Sequence, residues 1–218
     1  MRISGTVAVG VFLLLSFCTI NPAHADTIAL ASGGTTADPG QTNSNGATVP
    51  ISQNSAWANP LPGSSWVSYA STGNTSAPGF VQVPNGTIVS FFDSFNLAGA
   101  ATSGTLAVMA DDSATVLLNG VVLIGETALN NTYAICSDFG VGCLQPTILD
   151  LPVSLLRSGA NTLEFNVAQR NGSSFGLDYV GSIVDPVSTP EPSTTPSLVL
   201  GLGALVLIGF FRKSSSGI

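Results

Sequence analysis

The sequence predicts an all-β domain, a β-sandwich or barrel, and three observations carry that prediction. Short apolar or alternating runs recur from residue 65 to residue 184, each bounded by Gly, Pro, Asn or Ser. That is the pattern of strands joined by tight connections. Asn119-Gly120 separates Val116-Leu117-Leu118 from Val121-Val122-Leu123-Ile124. Asn-Gly accepts the positive φ angles of a type I′ turn, so these two runs read as a hairpin. Between residues 26 and 188 no stretch sustains a helical apolar period.

The elements follow in chain order. Arg2, the apolar run Val7–Phe17 and Ala23-His24-Ala25 have the three parts of a secretory signal, with cleavage after Ala25 and a mature start at Asp26. Cys18 follows Phe17, whereas a lipidated Cys follows a small residue, so Cys18 is assigned to the discarded segment. Residues 26–188 are then one domain's worth of chain, with a loop-rich start over 26–64. Thr27–Ala31 and Ala47–Ile51 read as strand fragments there. Ser65-Trp66-Val67-Ser68-Tyr69 alternates like a half-buried strand. Thr87–Leu97, Gly104–Ala110, Ala114–Leu118, Thr147–Leu151, Asn161–Ala168 and Leu177–Val184 complete the strand set, and Val153–Leu156 reads as a single turn.

Charge and composition remove several function classes. From Asp26 to Glu191 there are twelve acidic residues against Arg157 and Arg170, a formal charge of −10. Nucleic acid is therefore not an expected partner, because phosphate binding depends on Lys and Arg. The single His, His24, leaves with the signal segment. Without imidazole or Lys, the mature chain cannot build Ser-His-Asp, Cys-His, phosphate-loop or Schiff-base chemistry. Paired-carboxylate chemistry remains open, with Asp93, Asp111, Asp112, Glu126, Asp138, Asp150, Glu164 and Asp178 as candidates, but no spacing singles out two of them.

Other residues carry weaker signals. Cys136 and Cys143 read as a disulfide in an exported chain, with a redox or metal pair as the alternative. Asp111 and Asp112 follow an apolar strand, where carboxylates accept loop N–H bonds; they are also the weak candidates for calcium, a cation that favours oxygen ligands. No cofactor is expected. For a sugar site, Trp57, Tyr133 and Tyr179 are the aromatic platforms to consider, with Asn130, Asn131, Arg170, Asn171 and Asp178 as polar partners.

The C-terminal residues 189–218 have their own grammar. Thr189-Pro190-Glu191-Pro192-Ser193 precedes an apolar run, Leu198–Phe211, and Arg212-Lys213 follow it. As a helix, 197–211 is short for a membrane, but a start at Ser193 gives about 28 Å against a hydrocarbon core of about 30 Å. The basic pair would stop transfer on the cytoplasmic side. Pro190, Glu191 and Pro192 with the run and the basic pair resemble the PEP-CTERM sorting tail. The resemblance implies an exosortase partner, transient residence in the inner membrane, tail cleavage, and delivery to the cell surface or beyond.

A second resemblance covers residues 55–184. Leu106–Asp112, Ala114–Gly120 and the stretch Leu151-Pro152-Val153-Ser154-Leu155-Leu156-Arg157-Ser158-Gly159-Ala160-Asn161-Thr162-Leu163-Glu164-Phe165 are similar, in order, to galactose-binding-like jelly-roll domains. This implies a jelly-roll-like β-sandwich and no catalytic residues. The sequence reading is thus a non-enzymatic exported surface or matrix protein associated with extracellular polysaccharide. A lectin-like glycan-binding module is the alternative, and a two-carboxylate hydrolase stands third.

Overall fold

The computed structural model describes residues 25–33, 42–126, 141–170 and 173–186. Residues 1–24 of the expected signal segment, the expected sorting tail 189–218, Tyr133, Cys136, Asp138, Asn130, Asn131 and Asn171 lie outside the described residues. Among the described residues no helix is long and apolar enough to cross a membrane.

The chain forms a β-sandwich. Its strands are β1 (Ala25–Ala31), β2 (Thr42–Asn43), β3 (Gly46–Ala47), β4 (Val49–Pro50), β5 (Val67–Ser68), β6 (Ile88–Leu97), β7 (Ser103–Asp111), β8 (Ser113–Leu118), β9 (Val121–Ile124), β10 (Thr147–Asp150), β11 (Gly159–Ala168) and β12 (Gly176–Pro186). Sheet I has the order β10-β7-β12-β5-β4, with β1 also paired to β12. Sheet II has the order β3-β2-β6-β11-β8-β9. Every strand pairing is antiparallel.

Alternation along the long strands builds the core. In β6, Phe91, Phe95 and Leu97 are buried while Ile88, Ser94 and Asn96 are exposed. In β11, Leu163, Phe165 and Val167 are buried and their neighbours Thr162, Glu164 and Asn166 are half-buried. These side chains meet Leu106 and Val108 of β7 and Leu177, Tyr179 and Ile183 of β12 across the sandwich. The Phe165 and Tyr179 rings stack between the sheets with centroids 4.4 Å apart. A polar contact crosses this layer: the Tyr179 hydroxyl donates to Oδ2 of buried Asp93 at 2.8 Å.

The β8–β9 hairpin turns at Asn119 (φ 51°) and Gly120 (φ 80°), the paired positive angles that the Asn-Gly dipeptide predicts. Asn119 also reaches outward from the turn. Its Nδ2 donates to the Leu155 carbonyl at 2.7 Å and to Asn161 Oδ1 at 2.9 Å, and its Oδ1 accepts from the Thr162 amide at 2.9 Å. Buried Asn161 in turn takes the Arg157 amide at 2.8 Å and donates to the Arg157 and Gly159 carbonyls. These two amides tie the hairpin to the loop entering β11. Val153–Leu156 is a turn, with the Leu155 and Leu156 amides donating to Pro152 and Val153.

The segment Ser65–Tyr69 departs from its expected five-residue strand. Only Val67–Ser68 pairs, and Trp66, Val67 and Ser68 are all buried. The alternation there does not separate core from solvent. Trp66 faces a second apolar cluster with Trp57, Met109 and Cys143, against which Ile51, Ala58 and Leu61 pack. The loop 51–66 therefore caps the outward surface of sheet I.

Candidate functional site

Of the sequence-selected residues, Trp57, Asp111, Asp178 and Cys143 meet at that cap, and the structure gives Trp57 and Asp178 a different task from the expected one. Trp57, expected as an exposed sugar platform, is only 5% exposed. Its ring sits against Trp66 at a centroid distance of 4.3 Å, and its indole N–H donates to Asp111 Oδ2 at 2.8 Å. Gly176 makes room for it: a Cβ there would lie 3.1 Å from the ring and 2.9 Å from Ile51 Cδ1. The Gln53 side chain fastens the same loop by donating to the Trp57 and Ala58 carbonyls, each at 2.8 Å.

Asp178, expected as a polar partner for sugar, is likewise committed to the cap. It is fully buried on β12. It accepts from the Leu61 amide at 2.8 Å, from Ser64 Oγ at 2.6 Å and from Ser32 Oγ at 2.8 Å. Burial raises its carboxyl above the ordinary range, while these hydrogen bonds from Ser64, Leu61 and Ser32 pull the other way. Tyr179 is also no platform, since its ring lies in the core. Aromatic rings in sandwiches bury area first, and the loop-like sequence around Trp57 concealed that it folds back onto a sheet.

Asp111 and Asp112 stand at the break between β7 and β8, where the peptide joining them is cis. Burial, then the neighbouring Asp112, push the Asp111 carboxyl up to about 9, against the opposing pull of the Trp57 indole. At neutral pH Asp111 therefore keeps its proton, which serves its hydrogen bond with Asp112. Asp112 Oδ2 accepts the Arg170 amide at 2.6 Å. As calcium candidates, both carboxyls thus have oxygens already engaged by Trp57 and by the β11 exit. No group of three or more His, Cys, Asp or Glu able to hold a metal occurs among the described residues.

Arg170 does not meet Asp178. Its guanidinium pairs with Glu126, and the two side chains are 35% and 13% exposed. Cys143 is buried in the cap and disulfide-bonded; its expected partner Cys136 lies outside the described residues. Asp185 accepts the Ala98 and Gly99 amides, closing the loop after β6. Asp93, Asp111, Asp112, Asp178 and Asp185 thus all serve as internal ties.

Beside the cap, sheet I keeps an open trough of about 260 Å³ lined by Thr105, Ala107, Ile148, Val180 and Ser182 among others. The outward surface of sheet II is different. Ser90, Asn166 and Glu164 form a hydrogen-bonded row there, and of the three the sequence singles out only Glu164, as one of the candidate carboxylates. The signal that could have found them is the alternation in β6 and β11 itself, which places Ser90, Ser94 and Asn96 on one strand and Thr162, Glu164 and Asn166 on the other beside buried residues.

No protein-family model matches the chain. No curated protein matches it either. Solved structures with similar architecture include the Streptomyces avermitilis α-L-rhamnosidase complexed with L-rhamnose, at 24% identity and a TM-score of 0.39. That match covers 58% of this chain and 11% of the rhamnosidase, so the chain spans a small part of that enzyme. A family 35 carbohydrate-binding module from Clostridium thermocellum matches at 12% identity and TM-score 0.36, covering 71% of this chain and 97% of the module. Another family 35 module, from an environmental isolate, matches at 16% identity and TM-score 0.29, covering 69% and 98%. These likenesses transfer neither a ligand nor an activity.

Proposed function

We propose that residues 26–188 are a non-catalytic β-sandwich exported through the inner membrane, sorted by a PEP-CTERM tail and associated with extracellular polysaccharide. The observation that carries the reading is the tail: Pro190-Glu191-Pro192, the apolar run Leu198–Phe211 and Arg212-Lys213 in that order. An exosortase is the processing partner, and the mature domain ends at the cell surface or beyond it. The internal ties support a non-enzymatic role. A general acid or base must reach a substrate proton, whereas Asp111 and Asp178 are buried and occupied by the cap.

Mass spectrometry of surface material tests the sorting half. The expected product begins at Asp26 and lacks Leu198–Ile218. An intact C-terminus on that material would refute processing and make the tail a permanent anchor. Co-sedimentation with the producing cell's own extracellular polysaccharide tests the second half, with loss of retention as the refuting result. The lectin-like reading is favoured by one specific feature, the outward row on sheet II.

A further inference from the structure

We infer that the outward surface of sheet II, over β6, β11 and β8, is a binding face for a neutral oligosaccharide; this rests on the polysaccharide association proposed above. The pairing registers place Phe92, Glu164 and Leu117 side by side, with Ser90, Asn166 and Thr115 in the next outward row. None of these six is buried, and each alternates with core residues on its strand. Neighbours on such a surface are spaced about 4.8 Å across the strands and about 7 Å along them, the scale of one pyranose ring.

The polar groups are held in place before any ligand arrives. Ser90 Oγ donates to Asn166 Oδ1 at 2.5 Å, and Asn166 Nδ2 donates to Glu164 Oε1 at 3.0 Å. The amide plane and the carboxylate are thus oriented on a rigid sheet rather than on a loop, which lowers the ordering cost of binding. Beyond Thr115, its Oγ1 accepts the Glu126 amide at 2.9 Å, and Glu126 holds Arg170.

The chemistry selects the ligand. Carboxylate and amide oxygens accept hydrogen bonds from sugar hydroxyls, Ser90 Oγ, its proton given to Asn166, can accept one, the Thr115 hydroxyl can donate one, and Phe92 and Leu117 offer apolar surface to a ring's C–H face. Glu164 on a domain of charge −10 repels polyanions. A peptide strand would need a free sheet edge for its backbone, and a flat central face supplies none. Anionic lipid would need clustered cations.

The test is affinity electrophoresis of the full chain, recovered in detergent, through gels containing soluble neutral glucans, galactans or xylans, and through alginate as the polyanion. Retardation by at least one neutral polymer and none by alginate is expected. Asn166→Ala and the near-isosteric Glu164→Gln should each weaken it about tenfold, while Thr27→Ala on the opposite sheet leaves it unchanged. Glu164→Gln lies on the surface and keeps the fold, so a loss there is not an unfolding artefact. No retardation by any neutral polymer overturns the inference, as does stronger retardation by alginate. Equal binding by all variants also overturns it. Co-sedimentation with the host polysaccharide separates the cases: if wild type and Asn166→Ala are retained alike, the face is wrong and the association stands. If neither is retained, the association itself fails.

Discussion

Replacing Tyr179 with Phe removes a single oxygen, and the structure says what that oxygen is worth. The hydroxyl lies 2.8 Å from Asp93 Oδ2, and both residues sit in the layer between the sheets, shielded from water. The ring's stack on Phe165 survives the substitution. What is lost is a donor to a buried carboxyl oxygen, which costs about 1–3 kcal/mol. For a domain of this size that corresponds to a fall in Tm of roughly 2–10 °C. Urea denaturation followed by intrinsic fluorescence measures it directly, because both tryptophans, Trp57 and Trp66, are buried in the cap. The partner must also matter. In an Asp93→Leu background the same Tyr179→Phe change should cost less than about 0.5 kcal/mol, since the carboxyl that the hydroxyl serves is gone. A loss below about 0.5 kcal/mol in the wild-type background, or an equal loss in both backgrounds, would refute the pairing as a stabilising contact.

Three further outcomes follow from the same contacts. Asp111 has its folded-state pKa raised to about 9, so the folded chain binds more protons than the unfolded one above the ordinary carboxylate range. Its contribution is fully present below that range and is lost as pH rises towards 9; the decline is no steeper than about 1.4 kcal/mol per pH unit. Asp111→Asn should flatten the curve between pH 5 and 9, read by urea midpoints, and an unchanged slope would count against the assignment. Gly120→Ala should destabilise the β8–β9 turn by about 1 kcal/mol, entirely from its φ of 80°, because a Cβ there meets nothing within 4 Å. Asn161→Ala should cost more, about 2–4 kcal/mol, because it frees the Arg157 amide and two carbonyls at once. Equal thermal shifts for the Gly120 and Asn161 variants would contradict that ordering.

Much of the fold was legible because long antiparallel strands with one core face write their period into the chain. β6, β11 and β12 lie within a residue or two of their expected bounds, and the Asn-Gly turn has the predicted angles. The cap was not legible. Trp57 lies among Ser, Asn, Ala and Pro, a composition that reads as solvated loop, and its burial depends on residues distant in sequence: Asp111, Met109 and Gly176. The short pairing at Val67–Ser68 was hidden for the same reason: the alternation of Ser65–Tyr69 reads as one core face and one solvent face, whereas the cap buries Trp66, Val67 and Ser68 alike. The carboxylates misled for a related reason. Residue type announces acid chemistry, but only the fold shows that Asp178 receives Leu61, Ser64 and Ser32. The row on sheet II was hidden by its ordinariness: Ser, Asn, Thr and Glu at alternate positions look the same whether they meet water or a ligand.

The first and last strands run side by side, with Ala25 opposite Pro186 and the register continuing to Ala31 opposite Val180. On its other flank β12 is laced to β7 from Gly176 to Val184. The two ends of the domain therefore leave from one corner, next to each other. A pull on Pro186 along the strand axis would act in shear on both rows of hydrogen bonds together, rather than peel them one by one. A sandwich held by that corner resists dragging as a unit and turns its far end and the outward surface of sheet II, which the 51–66 cap does not cover, to the surrounding material.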